Sequence, residues 1–118
     1  MTETLSRPSN SCVVIIPALN ESRTIATIVE KIKSLAQSLA ITEIVVVDDG
    51  SADDTGGVAA EAGASVVRLA VTLGAWGATQ AGLRFASDAG YEYAVTLDAD
   101  GQHRPEDIAP LLAPILSG

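Results

Sequence analysis

Residues 44–51 read Ile44-Val45-Val46-Val47-Asp48-Asp49-Gly50-Ser51. Four β-branched apolar residues in a row lack the inside–outside alternation of a half-exposed strand. They predict a strand covered on both faces, as in a parallel sheet. The run stops at two acids, a glycine and a serine. That ending reads as a turn with Gly50 in a left-handed conformation and Ser51 or Asp53 capping a following helix. It has a second reading, in which a carboxylate here accepts a hydrogen bond from a nucleobase N–H.

Three runs of the same kind lie on either side: Cys12-Val-Val-Ile-Ile-Pro17, Ala64-Ser-Val-Val-Arg68 and Tyr93-Ala-Val-Thr-Leu97. Between the first two, Ile25, Ile28, Val29, Ile32, Leu35, Ala36 and Leu39 recur at helical spacing and make one apolar stripe, with Asn20 or Ser22 as cap. A shorter helix is expected over Thr55–Ala62, led in by Asp53 or Asp54 and closed by Gly63. A third is expected over 77–89, closed by Gly90. Gly82 inside it weakens the helix by about 1 kcal/mol relative to alanine, which close packing on a sheet would explain. A fourth begins at Pro105, with Pro110 and Pro114 to interrupt it. Strand and helix alternate, which predicts an α/β fold: a Rossmann-like, mostly parallel sheet of about four strands with flanking helices and right-handed crossovers. Ligands of open parallel sheets bind outside the carboxyl ends of the strands.

The 118 residues suit one domain, read as a polar arm over 1–10 and an α/β unit over 11–118. A hydrophobic fraction of 47% excludes a disordered chain. Fifteen acids against seven bases give a net charge of -8, which argues against nonspecific nucleic-acid binding and against a basic membrane patch. No apolar run is long enough to span a bilayer, and no export signal leads the chain. The single cysteine, Cys12, makes no internal disulfide and reads as a small buried hydrophobe. With these absences the expected compartment is the cytoplasm, with any membrane association carried by further carboxyl-terminal parts or by a partner.

At the four strand ends stand Pro17-Ala-Leu-Asn-Glu21, Asp48-Asp-Gly-Ser51, Leu73-Gly-Ala-Trp-Gly77 and Asp98-Ala-Asp-Gly-Gln102-His103. A parallel sheet brings Glu21, Asp48, Asp49, Asp98 and Asp100 to one edge. Five carboxylates there repel one another unless they are protonated, paired or bound to a cation. Asp98 and Asp100 flank one residue, so both can offer oxygen to one Mg²⁺ or Mn²⁺, with Gln102 or His103 adding a ligand or hydrogen bond. For a lone pair of this kind a turn and a helix cap is the simpler reading. An EF-hand is excluded, since His103 and Ala109 stand where its glycine and bidentate glutamate belong. The glycines of 74–77 let backbone N–H groups approach a phosphate at a helix amino end, though the segment is neither a Walker loop nor a dinucleotide fingerprint. Trp76 covers the crevice or packs, and packing is the simpler expectation.

Taken in order, these blocks resemble the inverting nucleotide-sugar glycosyltransferases of the GT-A fold, of the dolichyl-phosphate-mannose-synthase and polyprenyl-phosphate glycosyltransferase type. The resemblance runs from Val13 to Leu112. It implies that the segment containing Pro17, Leu19 and Glu21, together with Asp49, holds the base and ribose of a UDP- or GDP-linked sugar. It implies that Gly74 lies against the donor. Asp98, Asp100 and Gln102 would hold a Mg²⁺ or Mn²⁺ that bridges the donor diphosphate. Two positions depart from the pattern: Leu19 stands where relatives often carry an aromatic residue, and Thr72 and Leu73 where a basic residue is common. The chain is also about half the family's catalytic domain. It corresponds to the amino-terminal, donor-binding half and lacks the part that carries the acceptor site. No transfer activity is therefore expected of it alone, and self-association or a partner that completes the sheet is expected.

Three other readings compete. Leu97-Asp-Ala-Asp-Gly101 resembles the nucleophile motif of haloacid-dehalogenase-type phosphatases, but it falls near the end of the chain with no lysine after Lys33. A response-regulator receiver would carry its acidic pair at the first strand, not the second. A noncatalytic nucleotide-binding or assembly module with the same fold is the strongest alternative.

Overall fold

The computed structural model describes residues 12–39, 41 and 43–97. The arm over 1–10, the Asp98–His103 segment and the helix expected from Pro105 lie outside the described residues. Within them the chain alternates as β1 (Cys12–Ala18), α1 (Ile25–Leu39), β2 (Glu43–Asp48), α2 (Thr55–Ala62), β3 (Ser65–Arg68), α3 (Gly74–Ala89) and β4 (Tyr93–Thr96). All pairings are parallel, and the strand order is β3-β2-β1-β4. The chain winds outward from β1 to β3, then crosses back through α3 to place β4 on the other side of β1. The strand order reverses between β1 and β4, the kind of position at which open α/β sheets bind ligands.

The continuous apolar runs are explained by two cores. Cys12, Val14, Ile16 and Ala18 of β1 join Ile44 and Val46 of β2 on one face, under Ile25, Val29 and Ile32 of α1 and Ala59 of α2. Val13 and Ile15 join Val45 and Val47 on the other face, under Ala78 and Ala86 of α3. Every one of these side chains is buried. Each fully buried Val or Ile contributes about 1.5–3 kcal/mol relative to exposure. Burial also raises the pKa of the Cys12 thiol, as suits a core residue.

Gly63 and Gly90 close α2 and α3 in the left-handed conformation expected of them. Gly82 lies where α3 meets the sheet: a Cβ there would stand 2.4 Å from Ile15 Cγ2 and 3.0 Å from Val47 Cγ2. Ala78 and Ala86 are buried on the same face of α3. α3 begins at Gly74, three residues before the expected start, because its amino end is capped from outside the helix. Trp76 does not pack. It is 72% exposed, on the side of α3 away from the residues that face the sheet.

Candidate functional site at the carboxyl edge of the sheet

The register of β1 on β2 pairs Pro17 with Val47 and Ala18 with Asp48, so the loops after both strands leave the sheet at one level. The Asp49 N–H continues the ladder to the Ala18 carbonyl at 2.9 Å. On the other side of β1, the Leu97 N–H donates to the Ile15 carbonyl at 2.9 Å. The described parts of the four carboxyl ends therefore share one edge, as a parallel sheet requires.

The loops after β1 and β2 are stitched together. Asn20 has φ +57, a conformation that asparagine tolerates better than most residues. Its N–H donates to Ser51 Oγ at 2.9 Å, and its Oδ1 accepts the Ala52 N–H at 2.8 Å. The Glu21 N–H donates to Thr55 Oγ1 at 2.9 Å, and the Ser22 N–H to Asp53 Oδ2 at 3.2 Å. Thr55 in turn donates its hydroxyl and its N–H to Asp53 Oδ1. These bonds, with Thr55 first, hold the Asp53 carboxyl below the ordinary carboxylate range. Asn20 thus links two loops rather than capping α1, whose first N–H, that of Ile25, is met by the Glu21 carbonyl. Asp53 does lead in α2, through the Thr55 N–H.

Asp48 and Asp49 are both buried, at 6% and 3% exposure. Asp48 closes the turn on the Ser51 N–H at 3.0 Å and faces the Arg68 guanidinium at 3.8 Å. Asp49 accepts the Leu73 N–H through Oδ1 at 2.7 Å and the Gly74 N–H through Oδ2 at 3.0 Å. The turn reading of this pair is therefore realised for Asp48, with Gly50 at φ +77. Asp49 caps α3 from the loop that follows β2. Gly74, at φ +88, stands where an added Cβ would meet no atom within 4 Å.

The remaining expected residues are Pro17, half-buried at the end of β1, Leu19, which is exposed, and Glu21, half-buried beside Thr24. The structure brings Pro17, Leu19, Glu21, Asp49 and Gly74 to the same edge. Asp98, Asp100 and Gln102 fall outside the described residues. Among the described residues no three acidic, histidine or cysteine side chains gather as a metal site. Asp48 and Asp49 themselves face hydrogen-bond donors or a cation. Sequence reasoning missed the part played by Asn20, Ser51 and Thr55. The left-handed preference of asparagine was the one signal available. It also missed Arg68, a cation on the last residue of β3.

Residues 13–118 match the family described as Glycosyl transferase family 2. The chain is 34% identical to the polyprenol monophosphomannose synthase of Mycolicibacterium smegmatis, over 95% of this chain and 43% of that protein. It is 34% identical to a UDP-N-acetylglucosamine–dolichyl-phosphate N-acetylglucosaminyltransferase of Methanococcus voltae, over 88% of this chain and 47% of that one. Among solved structures it resembles the glucosyl-3-phosphoglycerate synthase of Mycobacterium tuberculosis in complex with Mn²⁺, UDP and glucosyl-3-phosphoglycerate. The TM-score is 0.75 at 30% identity, over 93% of this chain and 41% of that chain. The same enzyme has been solved with Mg²⁺ and UDP. The chain spans less than half the length of each of these proteins.

Proposed function

The chain belongs to glycosyl transferase family 2, and from that premise we propose that it is the donor-binding region of an inverting glycosyltransferase. Its ligand is a nucleoside-diphosphate sugar, UDP- or GDP-linked, held with Mg²⁺ or Mn²⁺ for transfer to an acceptor such as polyprenyl phosphate. The carrying observation is the stitched sheet edge: three loops that leave it are tied to one another by Asn20, Ser51, Thr55, Asp53 and Asp49. A site fixed before its ligand arrives loses less conformational freedom on binding.

In this reading the Pro17–Glu21 segment and Asp49 receive the base and ribose. Each oxygen of an ionised carboxylate has a second lone pair, so Asp49 retains acceptor capacity beyond its two backbone bonds. Gly74 lets the backbone approach the donor. Asp98, Asp100 and Gln102 supply the hard oxygen atoms that Mg²⁺ and Mn²⁺ prefer. The cation would neutralise the departing nucleoside diphosphate. Arg68, partnered by Asp48, adds a positive charge at the same edge. We place the protein in the cytoplasm, and we assign turnover to a longer assembly than these 118 residues.

A second reading, a noncatalytic nucleotide-binding module, is favoured by one observation. Both buried acids of the described site are committed to internal partners. Calorimetric titration of the chain with UDP and GDP, with and without Mn²⁺, tests the first reading. Metal-dependent binding, lost in Asp98→Ala/Asp100→Ala, is expected. Nucleotide binding that ignores the metal and the double substitution supports the second reading, and a folded chain that binds neither nucleotide refutes both.

A further inference from the structure

We propose that Asp49 is a positioning residue, which holds the 71–74 turn as a wall of the nucleotide crevice; this rests on the donor-binding reading above. The turn has little of its own to hold it. Val71 and Leu73 are 65% and 54% exposed, so no apolar side chain of either anchors it in a core. Leu73 occupies the capping position of α3 and makes no side-chain cap. The cap comes instead from the residue after β2: the Asp49 carboxylate, 3% exposed, takes the N–H of Leu73 at 2.7 Å and of Gly74 at 3.0 Å. A carboxylate at the positive end of a helix, bonded to two amides, is a strong form of cap.

Gly50 provides a second grip on the same turn. A Cβ at Gly50 would lie 2.9 Å from Thr72 Oγ1 and 3.0 Å from the Thr72 N. The backbone of the turn therefore rests directly on the backbone that follows Asp49. These two grips fix the turn from two neighbouring residues of one strand end. A ligand group that meets Asp49 from the crevice meets a carboxylate whose orientation is set by the turn, and the turn is set by the carboxylate.

The test uses the whole chain and two readouts, UDP affinity with Mn²⁺ by calorimetry and amide exchange of Leu73 and Gly74 by NMR. Asp49→Asn keeps the shape but turns one acceptor into a donor that faces an N–H. Both amides should exchange about tenfold faster or more, and UDP affinity should fall by about tenfold or more, the scale of one charge-assisted bond. Gly50→Ala crowds Thr72 and strains the left-handed backbone at φ +77 while the Asp49 carboxylate itself is kept, and it should produce the same pair of losses. It decides the matter if Asp49→Asn does not fold, as judged by the exchange of the β1 and β2 amides. Affinity lost from Asp49→Asn with both amides still protected would make Asp49 a ligand contact only. Amides freed by Gly50→Ala with UDP affinity unchanged would make the turn merely structural. Either result overturns the assignment alone. A wild-type chain that binds neither UDP nor GDP removes the donor-binding reading and this assignment together.

Discussion

Gly82 shows how much one missing methyl decides here. An added Cβ would stand 2.4 Å from Ile15 Cγ2, closer than real contacts allow. Alanine gains about 1 kcal/mol in helix propensity, but overpacking a tight core costs about 1–3 kcal/mol. The clash is with a buried strand residue that has no room to yield, so we expect Gly82→Ala to lower stability by about 1–2 kcal/mol. Urea unfolding measures it, and an unchanged or higher midpoint would show that α3 can lift off the sheet at little cost. Asp53 carries a pH effect of definite sign. Its pKa is lowered in the folded chain, first by the Thr55 hydroxyl, so the unfolded chain binds the proton more readily. Its contribution is complete above the ordinary aspartate value of about 3.9 and is lost as the pH falls from there through the folded value. The group is exposed, so the effect is small. The gap in unfolding midpoint between the wild-type chain and Asp53→Asn should be constant near neutrality and close in acid. A gap that persists in acid would assign the effect to something other than ionisation.

At the scale of elements, Thr55 is the joint between the loops after β1 and β2. Its fully buried side chain accepts the Glu21 N–H and donates to Asp53. Thr55→Val keeps the shape and leaves the Glu21 N–H without that acceptor, at a cost of about 1–3 kcal/mol. Thr55→Ser restores the hydroxyl and should recover most of it. Faster exchange of the Glu21 amide in the valine variant, and not in the serine variant, would locate the loss in the joint. Equal behaviour of the two variants would mean that the methyl, not the hydroxyl, matters. This joint also marks where sequence reading stops. Every strand and helix within the described residues was legible, because continuous β-branched runs and 3.6-residue stripes record burial on two faces and on one. The convergence of Pro17, Glu21, Asp49 and Gly74 followed from parallel topology alone. The bonds among the loops did not follow, because they join residues 31 to 34 positions apart through side chains that equally serve local turns. The amino-terminal start of α3 was misread for the same reason: its cap is an aspartate in the loop after β2.

For the whole molecule the open question is what meets the outer side of β4. Among the described residues β4 pairs with β1 alone, and β1 is fully flanked by β2 and β4. The Leu97 N–H points to β1, so by the alternation of a parallel ladder the Thr96 N–H points to the outer side. Val95 and Leu97 are buried and Ala94 is packed in the second core, which makes β4 an apolar strand rather than a charged, self-protecting edge. Such an edge recruits another strand. We therefore expect the chain to associate with itself at tens of micromolar, by pairing along β4. Thr96 is exposed and lies on this strand, so Thr96→Lys places a charge at the edge without entering either core. Sedimentation velocity should show a mass above that of the monomer for the wild-type chain and a shift towards monomer for Thr96→Lys, with the unfolding midpoint little changed. A wild-type chain that sediments as a clean monomer would show that the β4 edge is covered within the chain itself. If both chains associate equally, the contact lies elsewhere, and the exposed Val71, Leu73 and Trp76 at the start of α3 become the surface to substitute next.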